Sequence, residues 1–312
     1  MNKSDISHVS IGLPVFNGEN FLPQALDSLL AQSFTDFELI ISDNASTDKT
    51  EEICKNYAAR DTRIRYIRQT SNMGGLENFN FVLSEARSKY FMWAAVDDQW
   101  APEFIQLSLT ALEDDPTAVG AFCPYQLMED ETGVILKDIW KCNYEDYRPL
   151  IRLVKFTWHY RDTCIYGLLR RNVLNDLKFE PWSWINSSTP YNIVYPMIYY
   201  LLSKGNFLLI SEKPLWFKSV TVSHGHSAPF MSNPILGYLA HIVRKINLFL
   251  RSVRYIYSGS QSIFLVFLMM PFLLLRLLRD CIAPIYVAIR IWLSGKKISQ
   301  LSPHEIWRLG VR

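Results

Sequence analysis

No two cysteines in this sequence are spaced as C-x-x-C, and the five present (Cys54, Cys123, Cys142, Cys164 and Cys281) are odd in number and scattered. That argues against a disulfide framework and a structural zinc site, and fits a reducing compartment. No G-x-G-x-x-G follows the first strand-like segment, so the fingerprint of a dinucleotide-dependent oxidoreductase is missing. The N-terminal MNKSDISHVS has no apolar core, and no signal peptide is expected there. Nowhere is there an uninterrupted apolar run of the ~18–20 residues that an ordinary membrane span needs. Basic residues are interleaved with Leu, Ile and Phe at helical spacing rather than with a stacking platform, so nucleic acid is not an expected partner.

What is present is a well-stocked core. Hydrophobic residues make up 49% of the chain and aromatics 14%, which excludes a disordered or fibrous protein. The net charge of +2 conceals a split. Residues 238–312 hold 11 Lys and Arg against only Asp280 and Glu305, a balance of +9, which leaves −7 for residues 1–237. Two regions are therefore expected, 1–237 and 238–312, with different tasks.

In the first region apolar strand patterns alternate with helical ones. Val9–Phe16, Phe37–Ser42, Ile64–Ile67 and Tyr90–Val96 read as strands, and Phe21–Ala31, Lys49–Ala59 and Leu76–Ser88 as helices. Later strands are expected at 119–125, 206–210 and 215–217, with a hairpin-like turn at Asp130–Gly133. Such alternation on short connections specifies an α/β fold, Rossmann-like, with a mostly parallel sheet and helices on both faces. Ligands of such sheets bind beyond the carboxyl ends of the strands. The loops expected there carry Asn17 and Glu19, Asp43 and Asn44, and Asp97 and Asp98. The adjacent carboxylates Asp97 and Asp98, closing an apolar strand, are the kind of oxygen ligand that suits Mg²⁺ or Mn²⁺.

From Tyr238 the pattern changes. Tyr238–Tyr257 spaces Leu239, Ile242, Val243, Ile246, Phe249 and Leu250 among Arg244, Lys245, Arg251 and Arg254, as a basic amphipathic helix at an anionic membrane surface does. Ile263–Leu275 contains Pro271, and Cys281–Leu293 is interrupted by Pro284 and Arg290. Interfacial or re-entrant insertion fits these lengths; packing within a soluble domain or in an oligomer interface is the alternative.

With these strings on the page, VSIGLPVFNGENFLPQALDSLLAQSFTDFELIISDNASTDKT and SNMGGLENFNFVLSEARSKYFMWAAVDDQWAP, the first hundred residues resemble glycosyltransferase family 2, whose nucleotide-sugar-binding fold is termed GT-A. The resemblance is dense over residues 8–110 and absent beyond about 230. It implies an inverting transferase using a UDP-, GDP- or dTDP-sugar donor. It further implies that Pro14, Phe16, Asn17 and Glu19 frame the nucleotide pocket and that Asp43 accepts a hydrogen bond from the base. A helix N-cap would explain Asp43 equally well. Asn72 and Gly74 would shape the turn under the base, although Gly74 also fits a plain backbone requirement. Asp97 and Asp98 would serve the metal and the ribose, in an order left open. His226 is a further candidate metal ligand, and Lys218 a basic residue near the leaving phosphates.

Two departures from the family pattern stand out. Ala95 occupies the place of a frequent extra acid. The carboxylate that deprotonates the acceptor usually stands about eleven residues before a glycine such as Gly205, and that position, near Val194, has no acid. Asp176 and Glu180 are the nearest candidates for a base, and Asp162 is another. The expected activity is transfer to a lipid-linked saccharide of a bacterial surface polysaccharide, at the cytoplasmic face of the inner membrane. The competing expectation is a catalytically silent domain acting as a membrane-bound scaffold.

Overall fold

A computed structural model of the chain describes residues 7–129, 135–140, 144–159, 163–177, 194–211, 213–220 and 234–293. The centre is strand β1 (Val9–Val15), in which every residue is buried. A continuous apolar run of this kind suits a strand covered on both faces. It pairs in parallel with β2 (Phe37–Asp43) on one side and β4 (Tyr90–Trp93) on the other; β3 (Ile64–Arg68) extends the sheet beyond β2. With β6 (Ala118–Phe122), β9 (Leu168–Arg170) and β10 (Asn206–Leu209) the order is β10-β6-β9-β4-β1-β2-β3. Only β9 runs antiparallel to its neighbours, so the sheet is mostly parallel, as the alternation predicts. The expected fourth strand is shorter than its apolar run: Trp93 ends it, and Ala94–Asp97 turn out of the sheet.

Helices α1 (Leu22–Leu30), α2 (Thr50–Ala58), α3 (Gly75–Glu85) and α4 (Phe104–Asp114) follow the expected spacing. Gly12 in β1 lets α3 press close. A Cβ there would lie 2.8 Å from Val82 and 2.9 Å from Phe91. The expected strand at 119–125 divides in two. β6 stays in the main sheet, while β7 (Tyr125–Glu129) joins β8 (Ile135–Trp140), β5 (Asp98–Trp100) and β11 (Trp216–Val220) in a second sheet ordered β5-β11-β7-β8.

Helices α5 (Pro149–His159) and α6 (Val194–Lys204) cover the far side of the main sheet, and a helical hairpin, α7 (Pro234–Ser260) and α8 (Ile263–Leu293), packs onto them. The two apolar stretches Ile263–Leu275 and Cys281–Leu293 belong to one helix, α8, which runs through Pro271 and Pro284. Gly259 sets how closely α7 approaches α6, since a Cβ there would overlap Ser203. Arg276 of α8 donates to the carbonyls of Thr157 (3.0 Å) and Trp158 (3.1 Å), capping α5. Asp280 is enclosed between the helices with Lys245 at 3.2 Å and Arg276 at 2.9 Å. Burial pushes its carboxyl up, but Lys245 and Arg276 outweigh burial and hold it below the usual range. Ile256, Met269 and Leu273 are part of the main core.

The outer face of the hairpin is apolar. Ile263, Phe264, Phe267, Leu274, Leu275, Leu278 and Ile282 form one exposed stripe along α8, and Val243, Ile246, Leu250 and Tyr257 another on α7. The Asp280, Lys245 and Arg276 ion pairs are enclosed by the hairpin, while these apolar stripes and the exposed Arg254 and Arg279 share its outer face. No described helix is long and apolar enough to cross a membrane.

Candidate active site

The carboxyl ends of β1, β2 and β4 lie side by side, because these strands are parallel neighbours in register. Their loops are knitted together by hydrogen bonds. The Asn17 amide donates to Ser46 Oγ at 2.9 Å, and Asn17 Oδ1 accepts from the Thr47 amide at 2.8 Å. The Gly18 amide donates to Thr50 Oγ1 at 2.8 Å. Glu19 Oε2 accepts from the Lys49 amide at 2.9 Å, and the Glu19 amide donates to Asp48 at 3.0 Å. Burial opposes ionisation of Asp48, yet its hydrogen bonds from Thr50 and the Glu19 amide keep its carboxyl below the usual range. Gly18 also lets this loop meet the Asp97 loop: a Cβ would stand 2.9 Å from Val96.

Asp43, at the end of β2, is fully buried. Its Oδ1 accepts from the Ser46 amide at 2.9 Å, and its Oδ2 from the Tyr66 hydroxyl at 2.9 Å and from Arg68 at 2.5 Å. Burial and the Asp43 hydrogen bond together push the Tyr66 hydroxyl well above the usual tyrosine range. Asp43 is not the helix N-cap: α2 starts at Thr50 with Lys49 before it, and the Asp43 carboxylate instead closes the turn to Ser46. Beside it Asn44 Nδ2 donates to Asn72 Oδ1 at 2.9 Å, and the Met73 amide to Asn44 Oδ1 at 2.8 Å. Asn17 (φ 51°) and Ala45 (φ 60°) hold left-handed backbone, and an alanine in that region costs about 1 kcal/mol. Strain of this kind persists where surrounding hydrogen bonds over-determine the loop.

Gly74 precedes α3 with φ 89° and ψ 154°, a conformation essentially restricted to glycine. A Cβ there would meet nothing within 4 Å. Gly74→Ala should therefore cost about 1–3 kcal/mol in urea unfolding through backbone strain alone; an unchanged midpoint would show that the turn relaxes freely.

The acidic pair divides. Asp98 is fully buried in β5, where Trp216 Nε1 donates to its Oδ2 at 2.8 Å and Lys218 stands opposite it in the β5–β11 ladder. Asp97 is partly exposed at the crevice. Two carboxylates adjacent in sequence thus occupy different surroundings. Phe16 and Asn17 are exposed at the mouth, Glu19 is partly buried, Asn72 and Gly74 are exposed on the neighbouring turn, and Pro14 is buried within β1 beneath them. The described residues hold no cluster of three or more potential ligands for a metal. One partly exposed carboxylate, with a second already sharing its oxygen with an indole, fits a cation held largely by donor phosphates and water, as Mg²⁺ commonly is.

The candidate bases fare differently. β9 runs antiparallel to β4, with Arg170 opposite Tyr90, so the residues after it lie beyond the amino end of β4. Asp176 is there, away from the crevice, and accepts a hydrogen bond from Tyr200. Glu180, Asp162 and His226 lie outside the described residues. Val194 opens α6. That helix leads back through Gly205 into β10, parallel to β6, so its first turn lies at the crevice end of the sheet. The position where the family carries its acid is thus in place, but Val194 and Tyr195 occupy it. Arg68, Tyr66 and Trp216 escaped the sequence reading. Arg68 was findable only from the β2–β3 register, which sets it opposite Asp43.

Fold and crevice together fit an α/β architecture of the GT-A kind. Residues 10–178, just over half of the chain, match the family model for glycosyl transferase family 2, and the chain belongs to that family. It is 31% identical over 125 residues to an uncharacterized glycosyltransferase of Rickettsia typhi, covering 40% of this chain and 38% of that protein. It is also 40% identical over 91 residues to the uncharacterized glycosyltransferase EpsJ of Bacillus subtilis, covering 29% and 26%. The chain thus matches well under half the length of these relatives. Among solved structures, Staphylococcus aureus TarS 1–349 in complex with UDP-GlcNAc superposes with TM-score 0.59 at 14% identity, covering 88% of this chain and 81% of that one. The mannosyltransferase PcManGT of Pyrobaculum calidifontis, in complex with GDP-Man and Mn²⁺, gives 0.53 at 14%, covering 98% and 84%. At such identity the likeness is one of fold.

Proposed function

We propose that the chain is an inverting, hexosyl-type glycosyltransferase that moves a sugar from a nucleotide-diphospho-sugar to a lipid-linked saccharide of a bacterial surface polysaccharide. The observation that carries this reading is the convergence of the cross-braced loops of Asn17, Asp43 and Asn72 with Asp97 at one end of a family 2 sheet. Phe16, Asn17, Asp43 and Asn72 would hold base and ribose, and Asp97, with Asp98 behind it, would hold Mg²⁺ or Mn²⁺. The cation's contribution, when bound, is to neutralise charge on the departing diphosphate. Lys218, opposite Asp98, adds a positive charge near the same place. The proton of the acceptor hydroxyl needs a carboxylate. Residues 178–193, before α6 in sequence, contain one acid, Glu180, and Glu180 would be that base.

The outward apolar stripes of α7 and α8, flanked by a basic C-terminal region, support monotopic binding to the anionic cytoplasmic face of the inner membrane. Basic residues near such a surface contribute about 1 kcal/mol each. Val194 at the family's acid position favours a second reading, in which the domain is a silent scaffold. Incubating the chain with donor sugar, metal and membrane lipids, and following labelled sugar into the lipid fraction, separates them. Label in lipid that disappears in Glu180→Gln supports transfer and the assigned base, and no label supports the scaffold.

Asp43→Ala should raise KM more than it lowers kcat, because contacts to the base are equal in ground and transition states. A hundredfold loss of kcat at constant KM would instead place Asp43 beside the reacting atoms.

A further inference from the structure

Tyr166 closes a short 3₁₀ turn, Thr163–Tyr166, and the chain enters β9 through Gly167. Because β9 is antiparallel to β4, with Leu169 opposite Phe91, the residues just before it lie past the carboxyl end of β4, where the Asp97 loop begins. A Cβ at Gly167 would collide with the Ala121 carbonyl, so the backbone is pressed against β6 here and the place of Tyr166 is fixed. Trp216 and Lys218 stand two residues apart in β11 and share one face of the second sheet, the face that Asp98 occupies in the neighbouring β5. The Tyr166 ring lies 5.2 Å from that of Trp216, tilted by 39°, and Tyr125 also packs on the indole at 5.1 Å. The Lys218 ammonium stands 5.7 Å from the centroids of both the Tyr166 and the Trp216 rings. The indole therefore serves two charges. Its N–H donates to Asp98 at 2.8 Å, and its π face attracts the ammonium.

A lysine carries its charge on a flexible four-carbon stem and samples many rotamers when nothing restrains it. Two rings that each attract the ammonium restrict it to one place, and the partial burial of Lys218 and Tyr166 strengthens the attraction. That place is beside Asp98 and the Asp97 loop. We infer that Tyr166 is a positioning residue: with Trp216 it seats the Lys218 ammonium at the crevice, where that charge meets the diphosphate of the donor. The inference rests on the nucleotide-sugar reading of the crevice and adds the groups that hold its lysine in place. A charge ordered before the donor binds stabilises the departing diphosphate without the cost of being ordered during the reaction.

The test is calorimetric titration of the full chain with UDP, GDP and dTDP in the presence of Mg²⁺. It is repeated on Tyr166→Phe, Tyr166→Leu, Lys218→Met and the combined Tyr166→Leu/Lys218→Met. Tyr166→Phe keeps the ring and should bind the preferred nucleoside diphosphate as the native chain does. Tyr166→Leu keeps apolar bulk without a π face and should bind it at least about threefold more weakly. In the Lys218→Met background the same change should have no further effect, because the ammonium it seats is gone. A merely structural role would subtract the same amount in both backgrounds. The inference is overturned if Tyr166→Leu binds like the native chain, if Tyr166→Phe fails as Tyr166→Leu does, or if the Tyr166→Leu loss is undiminished without Lys218. Should the native chain bind none of the three nucleotides, the nucleotide-sugar reading itself falls, and the inference with it.

Discussion

Asp97→Ala should reduce metal-dependent donor turnover by at least about a hundredfold while leaving the unfolding midpoint nearly unchanged. A carboxylate that helps hold the cation acts where leaving-group charge develops, and losing one such electrostatic contact costs about 3–4 kcal/mol of transition-state stabilisation. Asp97 is partly exposed and makes no side-chain hydrogen bond or ion pair among the described residues. Asp98→Ala is a different experiment. It removes the acceptor of the buried Trp216 indole and leaves that donor unpaired, a loss of about 1–3 kcal/mol of stability. The two variants should therefore separate, the first failing in catalysis and the second in stability as well. If Asp97→Ala kept full turnover, the assignment of the cation to this loop would be lost.

The second large effect concerns the hairpin. Replacing Phe264, Phe267 and Leu278 together by serine should weaken binding to phosphatidylglycerol-containing vesicles by at least about a hundredfold. Each large apolar side chain contributes about 1.5–3 kcal/mol when buried, and these three are exposed in the chain alone. For the same reason the substitutions should cost the fold little. Deleting the hairpin would be a poorer test, because Ile256, Met269 and Leu273 belong to the main core and Arg276 caps α5. Unaltered vesicle binding by the triple variant, with loss of a dimer, would turn the stripe into an oligomer interface.

The first four strands, their helices and the crevice loops were legible because each strand is a short apolar run closed by turn residues. Long-range pairings were not. β9 has three residues, too few for a period, yet its antiparallel direction carries Asp176 away from the crevice. Nothing local reveals that Asp98 meets Trp216, 118 residues later, or that Arg68 reaches back to Asp43. Two adjacent carboxylates look alike in a sequence, and only the burial of one distinguishes them. In the C-terminal region the amphipathic period was readable. The inward placement of Asp280, Lys245 and Arg276 was not, since it depends on which faces α7 and α8 present to each other.

The central claim is that the crevice at Asp97 binds a nucleotide-diphospho-sugar together with a divalent cation. The most direct measurement is thermal stabilisation of the chain by a panel of UDP-, GDP- and dTDP-sugars, each with Mn²⁺, with Mg²⁺ and with EDTA, repeated on Asp97→Ala. The account predicts that one nucleotide class raises the melting temperature only when metal is present, and that Asp97→Ala abolishes the rise. No stabilisation by any donor, or equal stabilisation in EDTA and in Asp97→Ala, would contradict it.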